Sequence, residues 1–150
     1  MIELGRIDHG LRIAKAVVCL LDVEHDVVIS RTDDYGKLLG GVVYYDFTGK
    51  SIAMHIAGFS PHWMCRDLIW LVFHYAFVQL GCASVFSEIR SRNITTIALA
   101  KKMGFYVEVV LPEVFPEDDL VVCRMRKEDC RWLNIKPRSV TFSGNMKKAA

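Results

Sequence analysis

Few groupings in this 150-residue chain have both the residue types and the spacing for chemistry. His55 and Glu88 each interrupt an apolar run, in SIAMHIAGF and SVFSEIR. An imidazole titrates near neutrality and can accept a proton at pH 7. A glutamate needs burial to raise its basicity to that range. The plainer readings are a satisfied core histidine and a charge at a strand end. His62 and Cys65 are three residues apart, but no second ligand pair accompanies them, so a metal site is not expected. Asp118-Asp119 reads as a solvated loop rather than a carboxylate dyad. Trp63, Trp70, Phe73, Tyr75 and Phe77 read as core rather than as a base-stacking platform. Nucleophilic Ser-His-Asp catalysis has no supporting elbow motif.

The elements that must position these residues alternate in period. Ile7 to Val18 carries Ile7, Leu11, Ala14, Val17 and Val18 at helical spacing, with Asp8 as N-cap. Val27 to Ser30 and Leu38 to Phe47 read as strands, and Thr48-Gly49 as a hairpin turn. Gly40 and Gly41 point to a bulge or a close backbone approach. Ser51 to Phe59 is small and apolar throughout, which suits a central strand covered on both faces. Pro61 opens a helix expected over His62 to Leu80, ended by Gly81. Cys82 to Ile89 is the next strand. Asn93 caps a helix to Lys102 that Gly104 closes. Tyr106 to Leu111 and Leu120 to Arg126 complete the set, separated by an acidic loop, Pro112 to Asp119. The strand–helix–strand unit from Ser51 to Ile89 requires a right-handed crossover between parallel neighbours. The expected class is α/β with α+β character: a mixed sheet of about six strands, with helices on both faces.

Composition supports one folded domain. The chain is 52% hydrophobic and 24% charged, which excludes a disordered protein. Its five cysteines form no C-x-x-C pair, which argues against a disulfide framework and for a reducing cytoplasm. Leu68 to Leu80, the longest apolar stretch, is too short to span a membrane, and no signal segment opens the chain. The formal net charge is +2, but residues 131–150 hold Arg131, Lys136, Arg138, Lys147 and Lys148 with no acid, leaving 14 bases against 17 acids before them. The division is therefore a domain over residues 1–133 and a basic extension over 134–150. The extension lacks the arginine density and interleaved aromatics of a nucleic-acid reader, so no nucleic-acid partner is expected.

Asn93-Ile94-Thr95-Thr96-Ile97-Ala98-Leu99-Ala100-Lys101-Lys102-Met103-Gly104-Phe105 resembles N-x-x-A-x-x-L-Y-x-K-x-G-F, the fourth-helix signature of the GNAT acyltransferase superfamily. Asn93, Leu99, Lys102, Gly104 and Phe105 match at the right offsets, and the element order agrees from about Ile7 to Arg131. Trp63-x-x-Arg66, Phe73-x-Tyr75-Ala76-Phe77 and Asp129-Cys130-Arg131-Trp132-Leu133 resemble the small single-domain GNAT-like proteins of tailed bacteriophages, some of which are internal virion components.

The resemblance implies acetyl transfer from acetyl-CoA to a primary amine by direct attack. Acetyl-CoA would lie between the strands Ser51–Phe59 and Cys82–Ile89, which must diverge after Gly58 and Ile89. Its contacts would fall on Ile56, Gly58, Met64, Cys65, Arg66 and Asn93, with His55 and Glu88 as the catalytic bases. Two departures stand out. The family's Q/R-x-x-G-x-G/A phosphate loop has no counterpart, because no glycine occurs between Gly58 and Gly81, and Asp67 adds a negative charge there. Ala100 stands where a tyrosine acid is frequent, leaving Cys65, Ser91 or Tyr106 as substitutes. These departures keep open an alternative: a catalytically impaired phage structural protein, acting in the virion through contacts of its basic tail with other phage proteins. The first reading places the chain in the cytoplasm, the host's if a phage encodes it. An open gap, not plugged by Trp63 or Met64, is the feature on which the transferase reading depends.

Overall fold

In the computed structural model, which describes residues 1–138 and 142–143, the chain runs β1 (Ile2–Leu4), α1 (Ile7–Val17), β2 (Val27–Thr32), β3 (Leu38–Tyr45), β4 (Ser51–Gly58), α2 (Arg66–His74), β5 (Ser84–Arg90), α3 (Ile94–Met103), β6 (Tyr106–Phe115), β7 (Asp118–Arg126) and β8 (Phe142–Ser143). One mixed sheet holds all the strands in the order β6-β7-β5-β4-β3-β2-β1-β8. The pairs β4–β5 and β1–β8 are parallel and the rest antiparallel. The six expected strands are present. Two short ones, β1 and β8, were not foreseen, because three and two residues carry no readable alternation.

The faces of the sheet are unequal. On one, α2 and α3 bury a large core that includes Met54, Ile56, Leu68, Val72, Phe73, Phe77, Met103 and Phe105. The Tyr44 hydroxyl anchors β3 to α2 by donating to the Val72 carbonyl at 2.6 Å. On the other face α1 covers a small cluster of Ile13, Val28, Val43 and Ala57. Among the described residues, no helix is long and apolar enough to cross a membrane.

Several expected boundaries shift for local reasons. Helix α1 buries His9, Gly10, Ile13 and Ala14, whereas Ile7 and Leu11 are exposed. The buried face is thus rotated from the apolar spacing, because the His9 ring meets the buried Ser30 hydroxyl at 2.8 Å and Gly10 lets Val28 approach. Arg6, not Asp8, is the N-cap, and Asp8 is paired with Arg6 at 2.7 Å. Helix α2 begins at Arg66 rather than His62, since Arg31 holds the carbonyls of His62 and Trp63 outside the helix. It ends in one π-helical turn, Tyr75–Gln79, and Gly81 follows with φ 69°. The expected loop Pro112 to Asp119 is largely strand, turning sharply through Glu117 at φ 58°. The Ser91 hydroxyl and the Arg92 guanidinium clamp Asp118 at that turn.

Candidate active site

Strands β4 and β5 pair only at Ser51–Ser84, Ile52–Val85 and Ala53–Phe86. They separate there, earlier than the ends of the strands, where the sequence had put the divergence. From Met54 to Gly58, β4 keeps its register with β3, and from Ser87 to Arg90, β5 keeps its register with β7. The facing edges of the two strands therefore form a V. Parallel neighbours normally share evenly spaced bonds along their length. Opening them exposes main-chain donors and acceptors to whatever enters.

On the α1 side the V widens into a cavity of about 430 Å³. Its walls include His55 and Ile56 of β4, Glu88 of β5, Asn93 and Thr96 at the start of α3, and Phe115 at the β6–β7 turn. A second cavity of about 690 Å³ adjoins it, sharing Cys19 and His55. Asp22, Asp26 and Asp46 line this second space, together with His25 and His55. The loop after α1 that supplies Cys19 leaves the helix through Val18 at φ 58°. A β-branched residue is costly in that left-handed region.

Tyr45 unites the two bases that the sequence suggested. Its ring stacks on His55 with centroids 4.4 Å apart, and its hydroxyl donates to Glu88 Oε2 at 3.3 Å. Burial lowers the His55 pKa below its usual value, with Asp46 pulling the other way. The ring is thus neutral at pH 7 and can accept a proton. Burial and the Glu88 charge push the Tyr45 phenol far above its ordinary range. Burial and Asp26 likewise raise the Cys19 thiol. Both are therefore protonated donors at neutral pH. Asp26 is itself raised, mainly by burial, whereas Asp22 is lowered by His25.

Asn93 does what its position at the head of α3 predicts, accepting the Thr96 amide at 3.1 Å. Among the described residues no group of three His, Cys, Asp or Glu is placed to hold a metal ion. Of the substitutes for a tyrosine at Ala100, Ser91 is bonded to Asp118, Tyr106 opens the edge strand β6 and Cys65 caps α2. None of the three lines either cavity.

The α2 side is different. A Cβ at Gly58 would collide with Trp63 Nε1, and one at Gly40 would stand 2.7 Å from the same indole. These two glycines let Trp63 lie flat on the ends of β3 and β4, where it is 9% exposed. Trp63, Met64, Leu68, Ile69, Val72 and Met103 leave a void of only about 10 Å³. Cys65 is the N-cap of α2, in extended conformation and without a side-chain cap bond. The chain's own C-terminal segment crosses this helix start. Arg66 Nε donates to the Lys136 carbonyl, and Asp67 Oδ1 accepts the Arg138 amide, each at 2.7 Å. Trp132 Nε1 anchors the same segment on the Met103 carbonyl. Of the residues the resemblance assigned, His55, Ile56, Glu88 and Asn93 line the α1-side cavity. Gly58, Met64, Cys65 and Arg66 lie on the filled side.

The fold has solved counterparts. A single-residue variant of spermidine N-acetyltransferase SpeG from Vibrio cholerae superposes with a TM-score of 0.67 at 16% identity, covering 89% of this chain and 96% of that one. Spermidine N-acetyltransferase from Vibrio cholerae in complex with CoA and spermine gives 0.63 at 17%, covering 87% and 92%. The chain has a GNAT-like fold. No protein-family model and no curated protein sequence matches it. Within the GNAT-like fold of this chain, Tyr45 and Cys19 are the site residues that sequence reasoning missed. Tyr45 lies diagonally across β3 and β4 from His55, on the same face of the sheet, a relation that needs the register. No signal in the sequence marks Cys19, which reaches the site through the left-handed turn at Val18.

Proposed function

We propose that the protein is an acyl-CoA-dependent N-acetyltransferase acting on a cationic amine. The observation that carries this is the V between β4 and β5, opening into a cavity that brings His55, Glu88 and Asn93 together. The solved relative that holds CoA and spermine shares the fold and supports both halves of the proposal. Acetyl-CoA would lie with its amide-bearing arm along Met54–Gly58. The phosphates would approach the first turn of α2, where backbone amides without helical partners and the positive end of the dipole favour an anion, which requires residues 136–138 to leave the helix start and lies on the side that Trp63 and Met64 fill. Arg66 and the main chain of Met64–Arg66 would assist, and the missing loop glycines make this the weaker half of the site. The amine would enter through the acidic cavity, attracted by Asp22, Asp26 and Asp46.

The amine nitrogen attacks the thioester carbonyl carbon, and the C–S bond breaks as the N–C bond forms. The neutral His55 ring takes a proton from the ammonium and so frees the lone pair that attacks, and the Glu88 carboxylate takes the second proton as the amide forms. The departing thiolate takes one from Cys19, which lines the same cavity. Held geometry and a positioned base together supply the rate. The test is thiol release from acetyl-CoA with a panel of diamines and polyamines, with the product checked by mass. Turnover that scales with enzyme supports the reading. Its absence with every amine sinks it.

A second reading, the fold retained without the reaction in a phage structural protein, is favoured by one feature. The chain's own residues 136–138 cross the helix start where phosphates would bind. Under it, the native chain co-purifies with phage particles and neither binds nor turns over acetyl-CoA.

A further inference from the structure

The C-terminal segment is fastened on either side of the start of α2. Before it, Trp132 Nε1 donates to the Met103 carbonyl at 2.7 Å, and Ile135 packs on the core. After it, Phe142 and Ser143 rejoin the sheet beside β1. Between these anchors residues 136–138 cross the first turn of the helix. The Lys136 carbonyl accepts from Arg66 Nε, and the Arg138 amide donates to Asp67 Oδ1, each at 2.7 Å. The carbonyl takes one of the paired donors with which an arginine grips phosphate. The Lys136 and Arg138 side chains stay exposed, so the main chain makes this crossing.

We infer that residues 136–138 are a strap that competes with the nucleotide end of acetyl-CoA for the start of α2 and must lift before the donor binds. The inference rests on the transferase reading and concerns the regulation of that same site. Because the competitor is tethered on both sides, its local concentration is high and fixed. Its grip is light, since both bonds are exposed and each exchanges readily for one to water. The chain thus divides between a closed form and an open one. The apparent Kd for acetyl-CoA then exceeds the intrinsic value by the inverse of the open fraction. The strap lies on the α2 side, away from His55, Glu88 and Cys19 in the open cavity, so it governs donor binding and leaves the transfer step alone.

The test is calorimetric titration of the full chain with acetyl-CoA and with acetyl-pantetheine, which keeps the thioester and amides but has no nucleotide. Asp67→Asn removes the charge and keeps an oxygen to accept the Arg138 amide, whereas Asp67→Ala removes both. Asp67→Ala should therefore bind acetyl-CoA about three- to tenfold more tightly than Asp67→Asn, as release of a mostly closed population requires. The two variants should bind acetyl-pantetheine equally. In the native chain the Arg138 amide resonance should move as acetyl-CoA saturates and stay in place with acetyl-pantetheine, a reading that needs no variant. Equal acetyl-CoA affinities for D67A and D67N, or weaker binding by D67A, overturn the strap. So does an Arg138 amide that is unmoved at saturation. If neither thioester binds the native chain or either variant, it is the transferase reading that fails, and the strap falls with it.

Discussion

On the α1 side of the β4–β5 opening the lining is polar and about 430 Å³ of space remains, whereas on the α2 side Trp63, Met64 and Ile69 close the space to about 10 Å³. The same pair of strands produces both outcomes. On β4, His55 projects to the open side, while Ile56, which also borders that cavity, packs its side chain in the core of the filled side, as alternation requires. The filled side holds the fold together, and the open side bears the titratable groups. Strain accompanies the second, at Val18, where the chain leaves α1 for the loop that carries Cys19. A scaffold that concentrates packing on one face can leave the other partly unfilled.

Substitutions can break this contrast. The largest effect on stability belongs to Trp63→Ala, expected to cost about 3–5 kcal/mol because the void cannot collapse onto two glycines; thermal unfolding reads it. On the open side, Glu88→Gln and His55→Gln should each lower kcat by about 10²–10⁴-fold, with little change in melting temperature. If either destabilises as much as Trp63→Ala, the division between packing and chemistry fails. Gly58→Ala is next, at about 1–3 kcal/mol, since its Cβ would press into the indole. Asp26→Asn with Asp46→Asn should raise KM for a cationic amine several-fold and leave KM for acetyl-CoA unchanged.

Acidity sharpens the contrast further. Burial lowers the pKa of His9, His55 and His74. The folded state therefore prefers these rings neutral, and the unfolded chain binds protons first as pH falls below the ordinary 6.5. Their contribution to stability is full above that value and is lost as pH drops through the folded pKa values. Melting temperature should be flat above about pH 7 and decline below about 6.5. With His55 as base, the acid limb of kcat/KM should likewise lie below 6.5.

The central architecture was legible because its signals are local. Asn93 and Gly104 bracket α3, and the small apolar run of β4 followed by a helix specifies a parallel crossover. The site was legible only in part. His55 and Glu88 could be picked out as polar residues in apolar strands, but Tyr45, which links them, lies 43 residues from Glu88 in sequence. The face of α1 was misread because a buried His9–Ser30 pair outweighs the apolar spacing of Ile7 and Leu11. The start of α2 was misplaced because Arg31, from a distant strand, holds the carbonyls before it. Long-range partners of this kind leave no periodic trace.

The central claim concerns the open V, and a titration of the full chain with acetyl-CoA, followed by amide chemical shifts, addresses it most directly. Saturable shifts clustered at Ile56, Ser87–Arg90 and Asn93 are the expected result. Shifts absent at millimolar acetyl-CoA, or confined to residues remote from β4 and β5, would contradict it.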